Sequence, residues 1–424
     1  MDADQEEPSR RVVARRLEDA LPALLEEEPV LVLNGARTVG KSTLLARIAT
    51  EADRAVLDLD DLATRDAVAA DPALFASGPA PVLVDEFQKV PELLDAVKAE
   101  LNKDLRPGRF VLTGSTRYTA LPRLAQSLTG RVHVVDVWPL SQGELAGTRE
   151  TFCKQLLDDP AALVGGTQTP ETREGYEQRV LAGGFPLAVR RSAAARARWF
   201  RDYISLVISR DVLEIRQVRQ RDSLPRLLRV LAAQTGQVLN IRKAAEQAHL
   251  EPPVAGDYLA LLEAVFLVHR LPAWGRTLGS RVAGLPKTHL VDSGLASHLL
   301  GLTTKRLTTR QPAVLTEFGH VLETFVVNEV LRQASWLDEP VVTGHFRTHD
   351  QVEVDLVMES YDGRVTGIEV KASSRVTQQD LRGLRMLRDK LGDTFTGGVL
   401  LNLGDRAYTI DERIHVLPVS ALWA

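Results

Sequence analysis

Cysteine occurs once in the 424 residues, as Cys153. With a single thiol there is no internal disulfide, which excludes the disulfide-stapled scaffolds. Long apolar runs are missing as well: the stretch from Leu259 to Val268 carries Glu263 and falls short of the roughly 20 residues that span a bilayer. Neither a transmembrane helix nor a membrane partner is expected. The N-terminus, MDADQEEPSRR, lacks the basic-then-apolar pattern of a secretory signal, so a cytoplasmic location is the expectation. No internal repeat or low-complexity tract is present. Neither sign of charge dominates, since 52 Lys+Arg against 56 Asp+Glu leave −4. With 44% hydrophobic and 25% charged residues, disorder and collagen are excluded in turn.

What is present divides into three blocks, as the length alone suggests. Residues 1–150 hold short β-rich runs at Val30 to Asn34, Ala55 to Leu59, Pro81 to Asp85, Arg109 to Thr113 and Arg131 to Val137. Helical patterns separate them, which predicts a parallel α/β sheet. In residues 151–280 the apolar positions recur at helical spacing from Tyr176 to Trp274, with one strand at Val265 to Leu271. Residues 281–424 return to α/β. They give a long helix (Thr316 to Gln333), strands at Val341 to Phe346, Val352 to Met358 and Val365 to Val370, a helix (Gln378 to Leu391) and a strand at Gly397 to Leu401. Charge is uneven: the first block has 18 basic against 25 acidic residues, and the second 18 against 13. Arg190 to Arg229 contains eleven arginines and four acids, a density that suits phosphate or DNA as well as a solvated helix face.

The segment Gly35, Ala36, Arg37, Thr38, Val39, Gly40, Lys41, Ser42 fits G-x-x-x-x-G-K-[ST] without mismatch, with Thr43 next. An apolar strand precedes it and a helix follows, so backbone N–H groups and a helix N-terminus converge on a phosphate chain. Lys41 is placed to reach the β- and γ-phosphates of ATP, and the Ser42 hydroxyl to ligate Mg²⁺. The strand Pro81 to Asp85 then delivers a carboxylate at its C-terminal end. Asp85 is expected to hold the Mg²⁺, and Glu86 to orient and polarise the attacking water, which makes the chain a hydrolase. Strand Phe110 to Thr113 ends in hydroxyls, and Thr113 and Ser115 suit sensing of the γ-phosphate.

Taken together, GARTVGKSTLL, VDEFQKVPELL, FVLTGS, SLTGRV and WPLSQGEL resemble the AAA+-type P-loop ATPases known as AAA_14/DUF4143 proteins. The likeness continues through GGFP, SRDV, LVDSGLASHLLG, GHVLETFVVNEV, EVDLV and IEVKAS, over nearly the whole chain. It implies that Arg37 is the arginine carried within the family's P-loop. It also makes Arg131, in the GR motif, a candidate to reach a neighbouring subunit's nucleotide in a homo-oligomer, with Arg198 and Arg210 as rivals.

The third block carries its own carboxylates. Glu323 falls on the long helix, Asp355 on one strand, and Glu369 and Lys371 on one face of the next, because strand side chains alternate with period two. Three carboxylates beside a lysine suit a second divalent cation, Mg²⁺ or Mn²⁺. The order of elements is similar to the PD-(D/E)XK nuclease fold, with Gln378 or Gln379 where some such nucleases have an auxiliary Gln. In the middle block, helices at Ser223 to Ala233, Asn240 to His249 and Pro253 to Leu262 before a strand follow a winged-helix layout. The third of these helices carries no Arg or Lys, which argues against major-groove readout through it. The expectation is Mg²⁺-dependent ATP hydrolysis coupled to a nuclease-like domain acting on DNA. A nucleotide-controlled assembly switch with a non-catalytic C-terminal module, and an ATP-dependent nuclease in a defence or toxin-like setting, are the alternatives.

Overall fold

The computed structural model describes residues 12–117, 128–166, 170–215, 222–277, 281 and 284–424. The acidic N-terminus, Ser127 of SLTGRV, and Arg216, Arg219 and Arg221 of the arginine-rich stretch lie outside the described residues. The first block contains β1 (Val30–Asn34), β2 (Val56–Asp58), β3 (Val82–Asp85), β4 (Phe110–Gly114) and β5 (Val132–Asp136). They form a parallel sheet of order β2-β3-β4-β1-β5. Every residue of β1 is buried, as a strand covered on both faces must be. Its side chains alternate between two cores. Val30 and Val32 join Val84, Val97 and Leu112 on one face, while Leu31 and Leu33 join Leu44, Leu45 and Val111 on the other. Helices α1 (Lys41–Ala52), α2 (Leu93–Lys103) and α3 (Gln142–Ala146) belong to this block.

Helices α4 (Arg173–Ala182) and α5 (Ala193–Leu206) belong to the middle block, and α5 runs directly into a π-helical turn, Val207–Asp211. Then come α6 (Ser223–Ala233), α7 (Ile241–Ala248) and α8 (Pro252–Ala264), with short strands β6 (Gln237–Val238), β7 (Val268–Leu271) and β8 (Lys287–Leu290). These strands make an antiparallel sheet of order β6-β8-β7, completing the winged-helix layout read from the helices. The strand expected from Val265 starts at Val268, because the chain first turns through Phe266 at φ 57°. Its central strand β8 lies past residue 280, so this sheet crosses the boundary placed there from sequence.

Helices α9 (Ser293–Leu300) and α10 (Pro312–Ala334) lead into the last sheet. Strands β9 (Val341–Arg347), β10 (Glu353–Ser360), β11 (Val365–Lys371), β12 (Phe395–Asn402), β13 (Tyr408–Asp411) and β14 (Ile414–Pro418) pair in the order β13-β14-β12-β11-β10-β9. Helix α11 (Arg382–Leu391) covers one face, packing Leu384 and Leu387 on Val354 and Leu400. Its start is at Arg382 rather than Gln378, since Thr377 to Leu381 form a turn closed by Asp380 on the Thr377 N–H at 2.8 Å. Strands β13 and β14 were not anticipated; β13 is a four-residue edge strand whose first two residues are exposed and last two half-buried.

The other face packs on α10, whose polar side chains tie the three blocks together. Glu329 Oε2 accepts the Gln142 N–H (2.9 Å) at the start of α3, and Asn328 Nδ2 donates to the Leu290 carbonyl (3.0 Å) of β8. Gln333 Nε2 donates to the Leu422 carbonyl at 2.6 Å. Among the described residues no helix is long and apolar enough to cross a membrane.

Candidate functional site

The loop from Gly35 to Gly40 leaves β1 and enters α1 through two left-handed residues, Thr38 (φ 63°) and Gly40 (φ 105°). At Gly35 a Cβ would lie 2.2 Å from the Val137 carbonyl oxygen, so only glycine lets the loop lie against the end of β5. Lys41 is buried, and its Nζ donates to the Gly35 and Ala36 carbonyls at 2.9 Å each. Burial lowers its pKa to about 8, against the opposing pull of Glu86 and Asp85. Ser42 and Thr43 are exposed at the mouth of the loop. Arg15, which sequence reasoning missed, braces the loop from behind. Its Nη1 donates to the Val39 carbonyl (2.7 Å), its Nη2 to Trp138 (2.7 Å), and its Nε to Glu144 (2.9 Å).

Asp85 and Glu86 stand at the C-terminal end of β3, next to the end of β4. The Thr113 hydroxyl donates to Asp85 Oδ1 and accepts the Glu86 N–H at 3.2 Å. Ser115 Oγ donates to Glu86 Oε2 at 2.9 Å. Gln88, also missed, donates to the same oxygen and to Ser115 Oγ (3.2 Å). Glu86 itself is left-handed (φ 55°), an uncommon conformation for a non-glycine residue, held here by neighbours on two strands. The expected acids and hydroxyls are therefore brought together, and Lys41, Ser42 and Asp85 suit Mg²⁺-nucleotide: one ammonium, one exposed hydroxyl and one carboxylate beside a glycine cradle.

Arg131 is not part of this arrangement. It precedes β5, which runs parallel to β1, so it lies at the edge opposite the P-loop, and its Nη1 donates to Asn102 (2.6 Å). Within one chain it cannot reach the nucleotide that Lys41 would hold. Arg37 instead donates from Nε to Asp211 Oδ2 at 2.6 Å, joining the P-loop to the π-helical turn after α5. Arg198 and Arg210 are exposed. Just past Ser115, the Arg117 N–H and Nε donate to the Ala264 and Glu263 carbonyls (2.8 Å each) at the end of α8. Both ends of the nucleotide site thus touch the middle block.

In the third block the carboxylates do converge, but around a cation of the chain. Lys287, on β8 of the winged-helix sheet, is fully buried, with Nζ 2.7 Å from Glu323 and 2.9 Å from Asp355 and also paired to Glu353. Burial alone would lower its pKa; Asp355, Glu323 and Glu353 together raise it well above that of an exposed lysine. Asp355 Oδ2 also accepts the Val370 N–H (3.0 Å), and Lys371 pairs with Glu369 (2.7 Å). Burial, then the charge of Asp355, pushes Glu369 up to about 8. The expected second metal site is corrected here: among the described residues no cluster of His, Cys, Asp and Glu is arranged for a metal, and a lysine ammonium occupies the centre of these carboxylates. Gln378 is also corrected, since it sits exposed beside Gln379 and Arg382 in a separate shallow depression.

Asp292, in the VDSGL motif, has a structural task. It caps α9 by accepting the Leu295 N–H (2.9 Å) and also accepts the Gly184 N–H (2.6 Å) of GGFP. At Gly183 (φ 68°) a Cβ would fall 2.1 Å from its Oδ1. Two distant motifs form one joint.

Residues 27–146 match the family described as AAA domain, AAA_14, and residues 318–422 the domain of unknown function DUF4143. Residues 173–306 match a further domain of unknown function, DUF8612. Two curated relatives, the uncharacterized proteins Rv2008c of Mycobacterium tuberculosis and Mb2031c of Mycobacterium bovis, are each 27% identical over 369 residues. Each match covers 86% of this chain and 74% of the relative. Among solved structures, the Walker-type ATPase PABY2304 of Pyrococcus abyssi is similar at 18% identity and a TM-score of 0.40, over 70% of this chain and 99% of that one. The RuvB Holliday junction branch migration motor of Thermotoga maritima is similar at 17% identity and a TM-score of 0.27, over 61% and 90%.

Proposed function

We propose that this chain, which belongs to the AAA_14/DUF4143 family of P-loop ATPases, hydrolyses MgATP to switch the arrangement of its winged-helix and C-terminal blocks. The observation that carries the reading is the shared hydrogen-bond set of Asp85, Glu86, Thr113 and Ser115 beside Lys41. Ser42 and Asp85 would hold Mg²⁺, which would supply neutralisation of the phosphate charge. Lys41 exchanges its two loop carbonyls for phosphate oxygens. Glu86 takes the proton of the attacking water, its carboxylate aimed by Ser115 and Gln88. Arg37 and Arg117 carry the nucleotide state to the middle block, because each bonds to it from one end of the site.

The lysine-filled carboxylate cluster favours a binding or assembly role for the C-terminal block over metal-dependent cleavage. The reading is tested by comparing ATP binding and turnover in Lys41→Ala and Glu86→Gln. Lys41→Ala should lose binding, whereas Glu86→Gln should bind ATP and turn it over roughly a hundredfold more slowly. Turnover by Glu86→Gln at the unmodified rate would remove the assigned base.

A further inference from the structure

A cleft of about 850 Å³ opens between α4, α5, α9 and the turn from Gly301 to Thr304, and no residue of the P-loop or of the Lys287 cluster lines it. That size suits a small organic ligand, which typically occupies about 300–1,000 Å³. The lining contains Arg179, Arg190, Arg196 and His298 and no Asp or Glu. Arg179 is already engaged by Glu171 (2.7 Å) and Gln142 (2.9 Å). Arg196 is not: it is half-buried on α5, and its one hydrogen bond among the described residues is a long 3.4 Å contact to the Val189 carbonyl. Asp292, the nearest acid beneath it, is fully buried and already accepts the Gly184 and Leu295 N–H groups.

Two further observations point to an occupant. Ser297 lines the cleft at 2% exposure, and its hydroxyl has no hydrogen-bond partner among the described residues. A buried hydroxyl left unsatisfied is costly, and a turn of the Ser297 side chain toward the cleft would let a ligand oxygen remove the cost. Leu181, Val189, Phe200 and Leu302 give the wall an apolar part, beside the uncharged polar Gln142, Gln178, Thr303 and Thr304. A half-buried guanidinium whose neighbouring carboxylate, Asp292, is buried and already accepts two N–H groups, an unsatisfied hydroxyl and an apolar part of the wall together describe a ligand with an anionic head and an apolar body.

We propose that this cleft binds a small organic anion, a phosphate or carboxylate carried on an apolar body, with the anion on Arg196 and Ser297 and the body against Phe200 and Leu302. Helix α5, which supplies Arg196 and Phe200, continues into the turn that holds Asp211 against Arg37 of the P-loop. Occupancy is therefore placed to act on the nucleotide site. Only this coupling rests on the ATPase reading; binding does not.

The test uses the full chain carrying Lys41→Ala, so that the P-loop does not take the probe. Phenyl phosphate and benzoate, titrated to millimolar concentration by calorimetry, distinguish the two anionic heads, and inorganic phosphate and phenol serve as half-ligands. Saturable binding of phenyl phosphate or benzoate, tighter than either half, is expected. Adding Arg196→Gln should weaken it about tenfold or more. Ala197→Trp, at an exposed lining position, should block it without removing charge. Failure of both probes to bind, or undiminished binding in both variants, would overturn the proposal whether or not the chain hydrolyses ATP.

Discussion

Lys287 Nζ and Asp355 Oδ1 lie 2.9 Å apart although they belong to different sheets, so one ion pair fastens the winged-helix sheet to the C-terminal sheet. The lysine side chain is 0% exposed and its three carboxylate partners are at most 29% exposed, so few waters can substitute for it. Removing the cation leaves buried carboxylates uncompensated. Lys287→Ala should therefore destabilise the chain by about 3–5 kcal/mol, read from urea unfolding. In that variant, but not in the unmodified chain, Mn²⁺ should restore part of the loss. A Mn²⁺-dependent rise in melting temperature in the unmodified chain that disappears with Asp355→Ala would show that the site takes metal as it stands.

The pair Arg37 and Asp211 should behave as a coupled unit. Asp211 is only 3% exposed and Arg37 donates to it at 2.6 Å, so each single neutral variant strands a charged partner. In a double-mutant cycle of Arg37→Gln and Asp211→Asn the stability effects should be non-additive by about 1–3 kcal/mol. Additive effects would mean that the contact does not couple P-loop to helix.

Thr113 and Ser115 should divide their effects. Thr113 bonds to Asp85 and to the Glu86 backbone, so Thr113→Val should weaken both Mg²⁺-nucleotide binding and turnover. Ser115 touches the Glu86 carboxylate alone of the two acids, so Ser115→Ala should slow turnover about tenfold with ATP affinity nearly unchanged. Equal losses of affinity in the two variants would contradict this assignment.

Nucleotide binding should take up a proton in alkaline solution. The Lys41 pKa of about 8 in the empty chain lies below the ordinary 10.5, so the folded chain binds fewer protons than the unfolded one between those values. This group's contribution to the stability of the empty chain thus rises with pH across that window and is absent below it. ATP, by placing phosphates on the ammonium, should drive the pKa back up. Calorimetry at pH 9 in two buffers of different ionisation enthalpy should register proton uptake that is absent at pH 6.5.

The nucleotide site was legible in the sequence because its parts are local. Lys41 is read from the Gly35 to Ser42 motif that follows one apolar strand, and Asp85, Glu86, Thr113 and Ser115 from the ends of two others. Lys287 was not legible: it stands in an unremarkable LPKTHL, and its partners lie 36 and 68 residues away for Glu323 and Asp355. Arg15 and Gln88 were hidden in the same way, one in a charged leader and one behind a carboxylate that drew attention first. Asp292 carried a visible motif, but its capping task needs Gly184, 108 residues earlier. The boundary at 280 followed a change in pattern, whereas the fold runs β8 back into the preceding sheet.

Helix α10 bonds to α3, to β8 and to the C-terminal turn through Glu329, Asn328 and Gln333. A protease cut or stop codon before residue 312 would consequently part the preceding two blocks from the buried partner they share. Fragments should be insoluble rather than separately usable, and the intact chain should melt in one calorimetric transition instead of three.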